Sequence, residues 1–244
     1  ELREKTGAGI LDAKKALVEN DGDMEKAIEF LRQKGIASAD KKMGRIAAEG
    51  IVCTLIEDNN GVILEVNCET DFVAKNVEFK EFVNCLAKTI LKTKPADVNT
   101  LLASNACCDS SKTVEDKIKE KIATIGEKIT LRRFEIYEGN IATYVHNGKI
   151  GVVLQTSAKD DALAKDICLH IASCAPQFIT RDEIPQDVID EETRIEMGKE
   201  DLAKKPENIR AKIVEGRVNK LMAQKCLLEQ AFVKDPNQTI AQLI

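Results

Sequence analysis

The chain has 244 residues, of which 43% are apolar and 32% charged, so it can bury one large core or two to three smaller ones. No run of residues approaches the roughly 18 apolar positions that a membrane-spanning helix needs. The first residues, ELREKTGAG, contain no apolar stretch typical of a signal peptide. The net charge of −5 argues against nucleic acid as the main partner, because phosphate binding relies on clustered Lys and Arg. We therefore expect a soluble cytosolic protein.

The first 35 residues predict three short helices. ELREK ends at Gly7, ILDAKKALVEN runs to the breaker Asn20-Asp21-Gly22, and Asp23 can cap a third helix that Gly35 closes. Apolar residues in the third helix recur at the spacing of one buried helix face. We expect a small helical bundle, followed by the basic stretch KGIASADKKMGR as a linker that could itself be helical.

A β-hairpin is predicted next, from GIVCTLI, the turn Asp58-Asn59-Asn60-Gly61 and VILEVNC. Asn-Gly between two apolar runs is a strong hairpin signal, because both residue types tolerate positive φ. Two helices with one apolar face follow, and then the strand KITLRRFEIY, whose alternation slips at Arg132-Arg133 and so predicts a bulge. The apolar helix positions are Phe79, Phe82, Val83, Leu86 and Ile90, then Val114, Ile118, Ile122 and Ile125.

The same order of elements then begins again. IATYVH, Asn147-Gly148 and IGVVLQT predict a second hairpin, and DDALAKDICLHIAS predicts a helix. At an offset of 90, VILEVN aligns with VVLQTS and DFVAK with DALAK, whereas TVEDKI at 113–118 resembles TIAQLI at 239–244 at an offset of 126. The difference of 36 residues predicts an internal repeat of two α+β subdomains with an insertion in the second copy. Because Ile244 lies early in the repeated helix, we expect the second copy to lack a closing strand here.

The insertion coincides with a charged, helical segment at about 184–224 that is interrupted at Lys205-Pro206. Two antiparallel helices of about 18 residues would form an arm of about 27 Å. The apolar stripe of its second half either only packs the two helices of the arm against each other, which we favour, or also forms a homodimer. The stripe consists of Ile209, Ile213, Val218 and Leu221. The predicted domains are 1–45 (bundle and basic linker), 46–139 (first subdomain) and 140–244 (second subdomain with the arm).

Eight cysteines are scattered through the chain. Because a chain of this length needs no covalent cross-links, we expect free thiols in a reducing compartment, with disulfides as the alternative. The cysteines are Cys53, Cys68, Cys85, Cys107, Cys108, Cys168, Cys174 and Cys226.

The stretch NCETDFVAKN at 67–76 places an aromatic residue at a predicted turn. Phe72 either begins the core face of the next helix or enters a partner. The repeat favours the second interpretation, because the matching position holds Ala162, whereas Val73 and Ala74 keep apolar counterparts. An exposed aromatic side chain beside Asp71 is typical of an anchor for a protein partner.

The sequence contains no pattern typical of an enzyme. Its only histidines, His146 and His170, are too few for a His-rich metal cluster, and no cysteine pair has C-x-x-C spacing. Phosphate-loop and G-x-S-x-G motifs are missing. TGAG at 6–9 precedes a helix but follows no predicted strand, so it does not support a dinucleotide-binding motif. We therefore predict a protein that is not an enzyme and holds no cofactor or metal.

Four motifs together resemble bacterial elongation factor Ts. They are LREKTGAGILDAKKAL, EVNCETDFVAKN, KIATIGEKITLRRFE and EQAFVKDP, and the resemblance covers essentially the whole chain. It implies an α+β fold with an N-terminal three-helix ubiquitin-associated-type bundle, two related α+β core subdomains and an inserted antiparallel helical coiled-coil arm. It also implies a guanine nucleotide exchange factor that binds elongation factor Tu with GDP and promotes GDP release. Such a factor acts on its partner's GDP and magnesium, in bacterial cytoplasm or in the matrix or stroma of an organelle of bacterial origin.

The resemblance also implies which residues contact the partner. Thr70, Asp71, Phe72 and Val73 match the family's T-D-F-V motif, which disturbs the magnesium site of elongation factor Tu. Phe72 would wedge between helices of the GTPase domain while Asp71 makes polar contacts. The other implied contacts are Lys14, Lys42, Ile125, Gly126, His146, Phe232 and Val233. Ala231 replaces the family's proline, and ordinary solvated side chains remain the alternative for both lysines.

Two functions of other classes stay open. One is a scaffold or chaperone-like helper that binds peptide segments through the helical bundle. The other is an RNA-binding subunit, which the acidic balance disfavours. We expect neither a membrane nor a direct nucleic-acid partner, and a test of GDP release from elongation factor Tu separates the three functions.

Overall fold

The computed structural model describes residues 1–42, 44–157, 159–202 and 205–244, without the side chains of residues 36–38 and 40. The chain forms two compact units, Glu1–Lys159 and Asp160–Ile244. Both contain helices and small antiparallel sheets, which confirms the predicted α+β class. Among the described helices, none has the length and apolarity that crossing a membrane requires. The predicted boundaries of the three domains stay a prediction.

The first unit contains seven helices and seven strands among its described residues. The helices are α1 (Leu2–Thr6), α2 (Ile10–Glu19), α3 (Met24–Lys42), α4 (Asp71–Lys75), α5 (Val77–Thr93), α6 (Val98–Ala103) and α7 (Val114–Ile125). The strands are β1 (Glu49–Glu57), β2 (Asn60–Cys68), β3 (Asn105–Ala106), β4 (Asp109–Thr113), β5 (Thr130–Glu138), β6 (Asn140–His146) and β7 (Ile150–Thr156).

The second unit is mostly helical. Its elements are α8 (Asp161–Cys174), α9 (Gln186–Met197), α10 (Glu207–Lys225), β8 (Ala231–Phe232), β9 (Asp235–Thr239) and α11 (Ile240–Leu243), with short 3₁₀ turns at Arg181–Glu183, Glu200–Leu202 and Leu227–Glu229.

The three N-terminal helices pack around small buried side chains, among them Ala13, Ala16 and Ala27. As predicted, the Asp23 carboxylate begins α3, because Oδ1 accepts hydrogen bonds from the backbone N–H groups of the first turn. The prediction that Gly35 ends this helix is wrong, since α3 continues to Lys42. The absence of a side chain at Gly35 allows the close approach of α7, because a Cβ there would lie 3.0 Å from the Cβ of Ala123.

The stretch predicted as a linker is therefore largely the second half of α3, packed against α7. Ala39 of this half is buried in the main core of the unit. Met43, which the linker prediction also covered, lies outside the described residues.

Strands β1, β2 and β5 form an antiparallel sheet in that order. The hairpin is confirmed, and within the predicted turn 58–61 the two connecting residues are Asp58 and Asn59, with φ of 48° and 60°. Asn60 and Gly61 already belong to β2. Two residues with positive φ match the right-handed twist of the flanking strands, which explains the tight connection. The predicted bulge is confirmed: Glu65 pairs with Arg133 and Val66 with Leu131, so Arg132 has no partner in β2.

The core of the first unit lies between this sheet and its helices. Alternate residues of β2 are fully buried, and the predicted apolar faces of α5 and α7 pack with them. The buried members include Val62, Leu64, Val66, Phe79, Phe82, Val83, Leu86, Ile90, Val114, Ile118 and Ile122. Ile125, at the end of α7, is only half-buried.

The second hairpin, β6–β7, packs against the β1–β2 hairpin. Its predicted turn is confirmed, with Asn147 at φ 52° and Gly148 at φ 69°. The carbonyl of Gly148 accepts a hydrogen bond from the Val52 N–H at 2.8 Å. A Cβ on Gly151 would lie 2.4 Å from Val52 Cγ1, so a glycine is required for this close approach.

The hairpin β3–β4 overlies α5 and brings Cys108 to Cys85. These two residues form a disulfide with a Cα–Cα distance of 6.3 Å, so the expectation of free thiols is wrong for this pair. Sequence reasoning missed the contact because it did not predict this hairpin. The other six cysteines are free, and burial raises the pKa of both Cys68 and Cys168 to about 11.

A short hairpin that leads into a capped helix occurs in both units, at positions 126 residues apart. Strands β3–β4 pair Asn105 with Thr113, and β8–β9 pair Ala231 with Thr239 in the same register, bulge included. Each second strand leads directly into a helix that begins with a capping box.

The end of the preceding helix repeats at an offset of 81. Lys94 after α5 and Ala175 after α8 both adopt the left-handed conformation, with φ of 43° and 45°. Between the matched helix start and this left-handed residue the second copy is nine residues shorter, and between Ala175 and β8 it is 45 residues longer, a net difference of 36. The sheet β6–β7 has two strands among the described residues, whereas β1–β2–β5 has three.

The inserted segment contains two antiparallel helices, α9 and α10. Lys225 pairs with Glu192 at 3.0 Å, and Arg217 pairs with Glu196 at 3.4 Å. The buried stripe of α10 consists of Val214, Val218 and Met222, which pack with Ile184, Leu202 and Cys226. The apolar stripe therefore packs the two helices of the arm against each other. Whether it also forms a homodimer stays a prediction.

Two details of the arm prediction are wrong. Helix α9 has 12 residues rather than about 18, because it ends at Gly198. Ile209 is 46% exposed and lies outside the buried stripe, since it precedes Val214 by five residues and so faces another side of α10.

Candidate partner-binding site

Phe72 lies in the first turn of α4 and points into solvent. Thr70 caps this helix by accepting a hydrogen bond from the Val73 N–H at 3.4 Å. Val73 is half-buried against the core and Ala74 is 4% exposed, whereas the Phe72 side chain is 81% exposed. The interpretation of Phe72 as a core residue is therefore wrong.

Asp71 adds a negative charge beside this aromatic ring. Lys75 Nζ donates a hydrogen bond to Asp71 Oδ2 at 2.6 Å across one helical turn. This hydrogen bond lowers the pKa of Asp71 and raises the pKa of Lys75, so both groups are charged at neutral pH. Asp71 is also in the first turn of α4, where the helix dipole stabilises a carboxylate.

The backbone leading into α4 is held by the Glu127 carboxylate. Glu127 Oε2 accepts hydrogen bonds from the N–H groups of Glu69 at 3.1 Å and Thr70 at 3.0 Å. Glu127 Oε1 accepts a third from the Thr70 hydroxyl at 2.6 Å. Glu127 directly follows Gly126, which ends α7 at φ 89°. The structure thus brings the implied pair Ile125-Gly126 next to Thr70.

A second carboxylate joins the same two segments, but here the acceptor is on the Phe72 loop and the donor N–H follows α7. Glu69 Oε1 accepts a hydrogen bond from the Lys128 N–H at 2.6 Å and pairs with Arg45 at 3.4 Å. The Lys128 N–H, and then the Arg45 charge, hold the pKa of Glu69 below its usual range. Lys42, half-buried at the end of α3, lowers the same pKa further, so this implied contact residue lies near the loop.

Sequence reasoning missed Glu127, Glu69 and Arg45. The position of Glu127 immediately after the implied pair Ile125-Gly126 was the one signal that could have found it.

His146 lies at the end of β6 and is exposed. Its ring nitrogens are 3.0 Å from the Tyr144 hydroxyl and 3.2 Å from Asn147 Nδ2. The adjoining turn is tied to the main sheet by an ion pair between Lys149 and Glu49, the first residue of β1. Because Glu49 pairs with Cys68 at the end of β2, the turn lies at the end of the sheet from which the Phe72 loop departs.

Lys14 is exposed on α2, and no contact places it with the Phe72 loop among the described residues. Two apolar side chains of the same helix share its surface: Leu11 is 83% exposed and Val18 is 69% exposed.

The implied pair Phe232-Val233 belongs to the second unit. Phe232 is 5% exposed, with its ring 6.1 Å from the buried His170 ring. The Val233 N–H donates a hydrogen bond to His170 Nδ1 at 3.2 Å, and Gln230 Oε1 lies 2.9 Å from Nε2. Val233, which is 41% exposed, is thus the member of the pair that reaches solvent.

No cluster of His, Cys, Asp and Glu able to hold a metal ion occurs in the described parts of the chain. The outstanding feature is instead an aromatic side chain and an ionised carboxylate presented on a braced loop. Exposed aromatic side chains of this kind are enriched among the residues that anchor protein–protein contacts.

Comparison with known proteins identifies the family. Residues 69–244 match the family model described as Elongation factor TS. Proteins named Elongation factor Ts are 47% identical in Leuconostoc mesenteroides, 46% in Syntrophotalea carbinolica and 45% in Hydrogenovibrio crunogenus. Each comparison covers all of this chain and 84–85% of the relative. The chain belongs to the elongation factor Ts family, which confirms the resemblance and gives it a role in translation elongation.

Proposed function

We propose that this protein is a guanine nucleotide exchange factor that binds elongation factor Tu with GDP and promotes GDP release. The observation that carries the proposal is the 81% exposure of Phe72 beside the ionised Asp71, on a loop fixed by two carboxylates. A large apolar side chain held in solvent by a rigid backbone is suited to insertion into a pocket of a partner.

Insertion of this loop accounts for GDP release in physical terms. In a GTPase, magnesium bridges the nucleotide phosphates to the protein and offsets their charge, so a disturbed magnesium site weakens GDP binding. Phe72 would separate elements near that site, and Asp71 would bring a negative charge close to it. The coupling is reciprocal: the factor by which the exchange protein lowers GDP affinity equals the factor by which GDP lowers its own affinity.

This mechanism makes and breaks no covalent bond, so the protein is not an enzyme in this proposal. The GDP and the magnesium belong to the partner, and the exchange protein itself needs neither. In the first unit, the proposed contacts are the loop at 70–73, Ile125-Gly126, His146, Lys14 and Lys42. In the second unit, the proposed contact is Phe232-Val233, of which Val233 reaches solvent. We also propose that the two repeated arrangements mark two related subdomains, with α9 and α10 as a coiled-coil arm.

Release of a fluorescent GDP analogue from elongation factor Tu tests the proposal. The protein should speed release in the presence of excess unlabelled GDP, in proportion to its concentration until saturation. The control is the same mixture without the protein. An unchanged release rate would contradict the exchange function and leave the scaffold function, and RNA binding by the free protein would support the RNA-binding subunit.

We predict that the arm is not needed for exchange. Its base is closed independently of it, because the Gln177 N–H donates to the Lys225 carbonyl and the Leu227 N–H to the Phe178 carbonyl, both at 2.8 Å. Replacing residues 184–224 with a short Gly-Ser linker should therefore leave a folded protein that still accelerates GDP release. Circular dichroism and the release assay measure the two results, and loss of folding would show that the boundaries of the insertion are wrong.

A further inference from the structure

We infer that Glu127 is a positioning residue, which holds the backbone of Glu69 and Thr70 so that Phe72 is presented in its binding orientation. This inference rests on the proposed exchange function. Glu127 acts through the loop and need not touch the partner.

The geometry gives Glu127 three donors in one loop. Two are backbone N–H groups, at 3.1 Å and 3.0 Å, and the third is the Thr70 hydroxyl at 2.6 Å. Thr70 is the residue that caps α4, so fixing its backbone and its hydroxyl fixes the first turn that carries Phe72. A fourth tie is weaker: the Cys68 thiol lies 3.2 Å from the Thr70 carbonyl.

The clamp lies where sheet pairing stops. Asn67 and Thr130 form the last pair between β2 and β5. Beyond it, Glu127 binds the backbone of residues 69 and 70, and Glu69 binds the backbone N–H of Lys128. The two carboxylates thus replace the missing ladder hydrogen bonds and join the loop to the end of α7. Arg45 pairs with the Glu69 carboxylate at 3.4 Å, and the Lys42 charge also stabilises the ionised form of Glu69.

The consequence for binding is preorganisation. A free loop would have to be ordered when Phe72 enters the partner, and that ordering would oppose binding. With the clamp in place, the entropy of the loop has already been lost during folding. Removing Glu127 should therefore weaken binding only in so far as Phe72 takes part in it.

Two substitutions separate the clamp from general stability. Glu127→Ala removes both acceptor oxygens and with them all three hydrogen bonds. We expect it to weaken binding to elongation factor Tu about tenfold, roughly the loss of one to two hydrogen bonds. Glu127→Gln should keep most of the affinity. Its Oε1 can accept both N–H groups while its Nε2 donates to the Thr70 hydroxyl oxygen. Isothermal titration calorimetry measures both.

A double-mutant cycle gives the decisive readout. In the Phe72→Ala background, Glu127→Ala should change the affinity by less than about twofold, because a positioning residue has no effect once the positioned group is gone. The matched control is Asp97→Ala, which removes a carboxylate that also accepts a backbone hydrogen bond, from the Thr100 N–H at 2.7 Å, but at the start of α6. It should lower stability by about 1 kcal/mol without changing the affinity.

Amide hydrogen exchange of the free protein checks the clamp itself. The Glu69 and Thr70 amides should exchange faster in Glu127→Ala and remain protected in Glu127→Gln. Equal effects of Glu127→Ala in both backgrounds, or unchanged protection, would overturn the inference while leaving the exchange function standing. A wild-type protein that fails to accelerate GDP release would overturn the exchange function first and the inference with it.

Discussion

Replacing Phe72 with alanine should remove most of the affinity for elongation factor Tu while leaving the stability of the protein almost unchanged. The ring is 81% exposed, so its loss should change the free energy of unfolding by less than about 1 kcal/mol. A desolvated aromatic anchor contributes about 2 kcal/mol or more to binding. The affinity should therefore fall at least about 30-fold. Thermal unfolding, titration calorimetry and the GDP-release assay measure the three quantities.

The neighbouring residue provides the control. Val73 is half-buried and packs against the main core of its unit. Val73→Ala should lower the stability by about 1 kcal/mol, as expected for lost methyl groups in a partly buried position, and should affect GDP release less than Phe72→Ala does. If Phe72→Ala unfolds the protein, or if GDP release keeps its wild-type rate, Phe72 does not have the proposed role.

Elements with strong periodicity could be predicted from the sequence. The faces of α5 and α7, both hairpins and the bulge at Arg132 follow from alternation, helical spacing and turn residues, which act locally. The predicted end of α3 at Gly35 was wrong because this glycine allows close packing against Ala123, nearly 90 positions along the chain, and does not end a helix. The Cys85–Cys108 disulfide was missed for a similar reason, since only the folded hairpin β3–β4 brings the two residues together.

In the candidate site, too, only the features with a local signal in the sequence could be predicted. The exposure of Phe72 could be predicted, because the repeated segment keeps apolar residues opposite Val73 and Ala74 but holds Ala162 opposite Phe72. The role of Glu127 could not, because a hydrogen bond between residues 57 positions apart leaves no periodic pattern. The burial of Phe232 beside His170 of α8, 62 positions earlier in the chain, was equally impossible to predict from a local pattern.

The largest effect on stability is expected at Gly50, near the start of β1. Gly50 has a φ of 148°, a conformation that is essentially restricted to glycine. A Cβ there would lie 2.3 Å from the Val66 carbonyl oxygen and 2.7 Å from Asn67 Cα, both backbone atoms of the paired strand β2. Neither atom can move without breaking the register of the sheet. Backbone strain and overlap together should make Gly50→Ala cost at least about 3 kcal/mol.

Gly216 in α10 provides the opposite case with the same substitution. Nothing lies within 4 Å of the position that a Cβ would occupy there, and the residue is exposed in the middle of a regular helix. Gly216→Ala should therefore stabilise the protein by about 0.5–1 kcal/mol, because alanine loses less backbone freedom on folding. Amide hydrogen exchange, measured residue by residue, reports the change in local stability around each substituted position.

A Gly50→Ala protein as stable as the wild type would show that β1 does not enter the sheet with this backbone. Because β1 is paired with the end of β2 that leads into the Phe72 loop, the same substitution should also reduce GDP release, whereas Gly216→Ala should not.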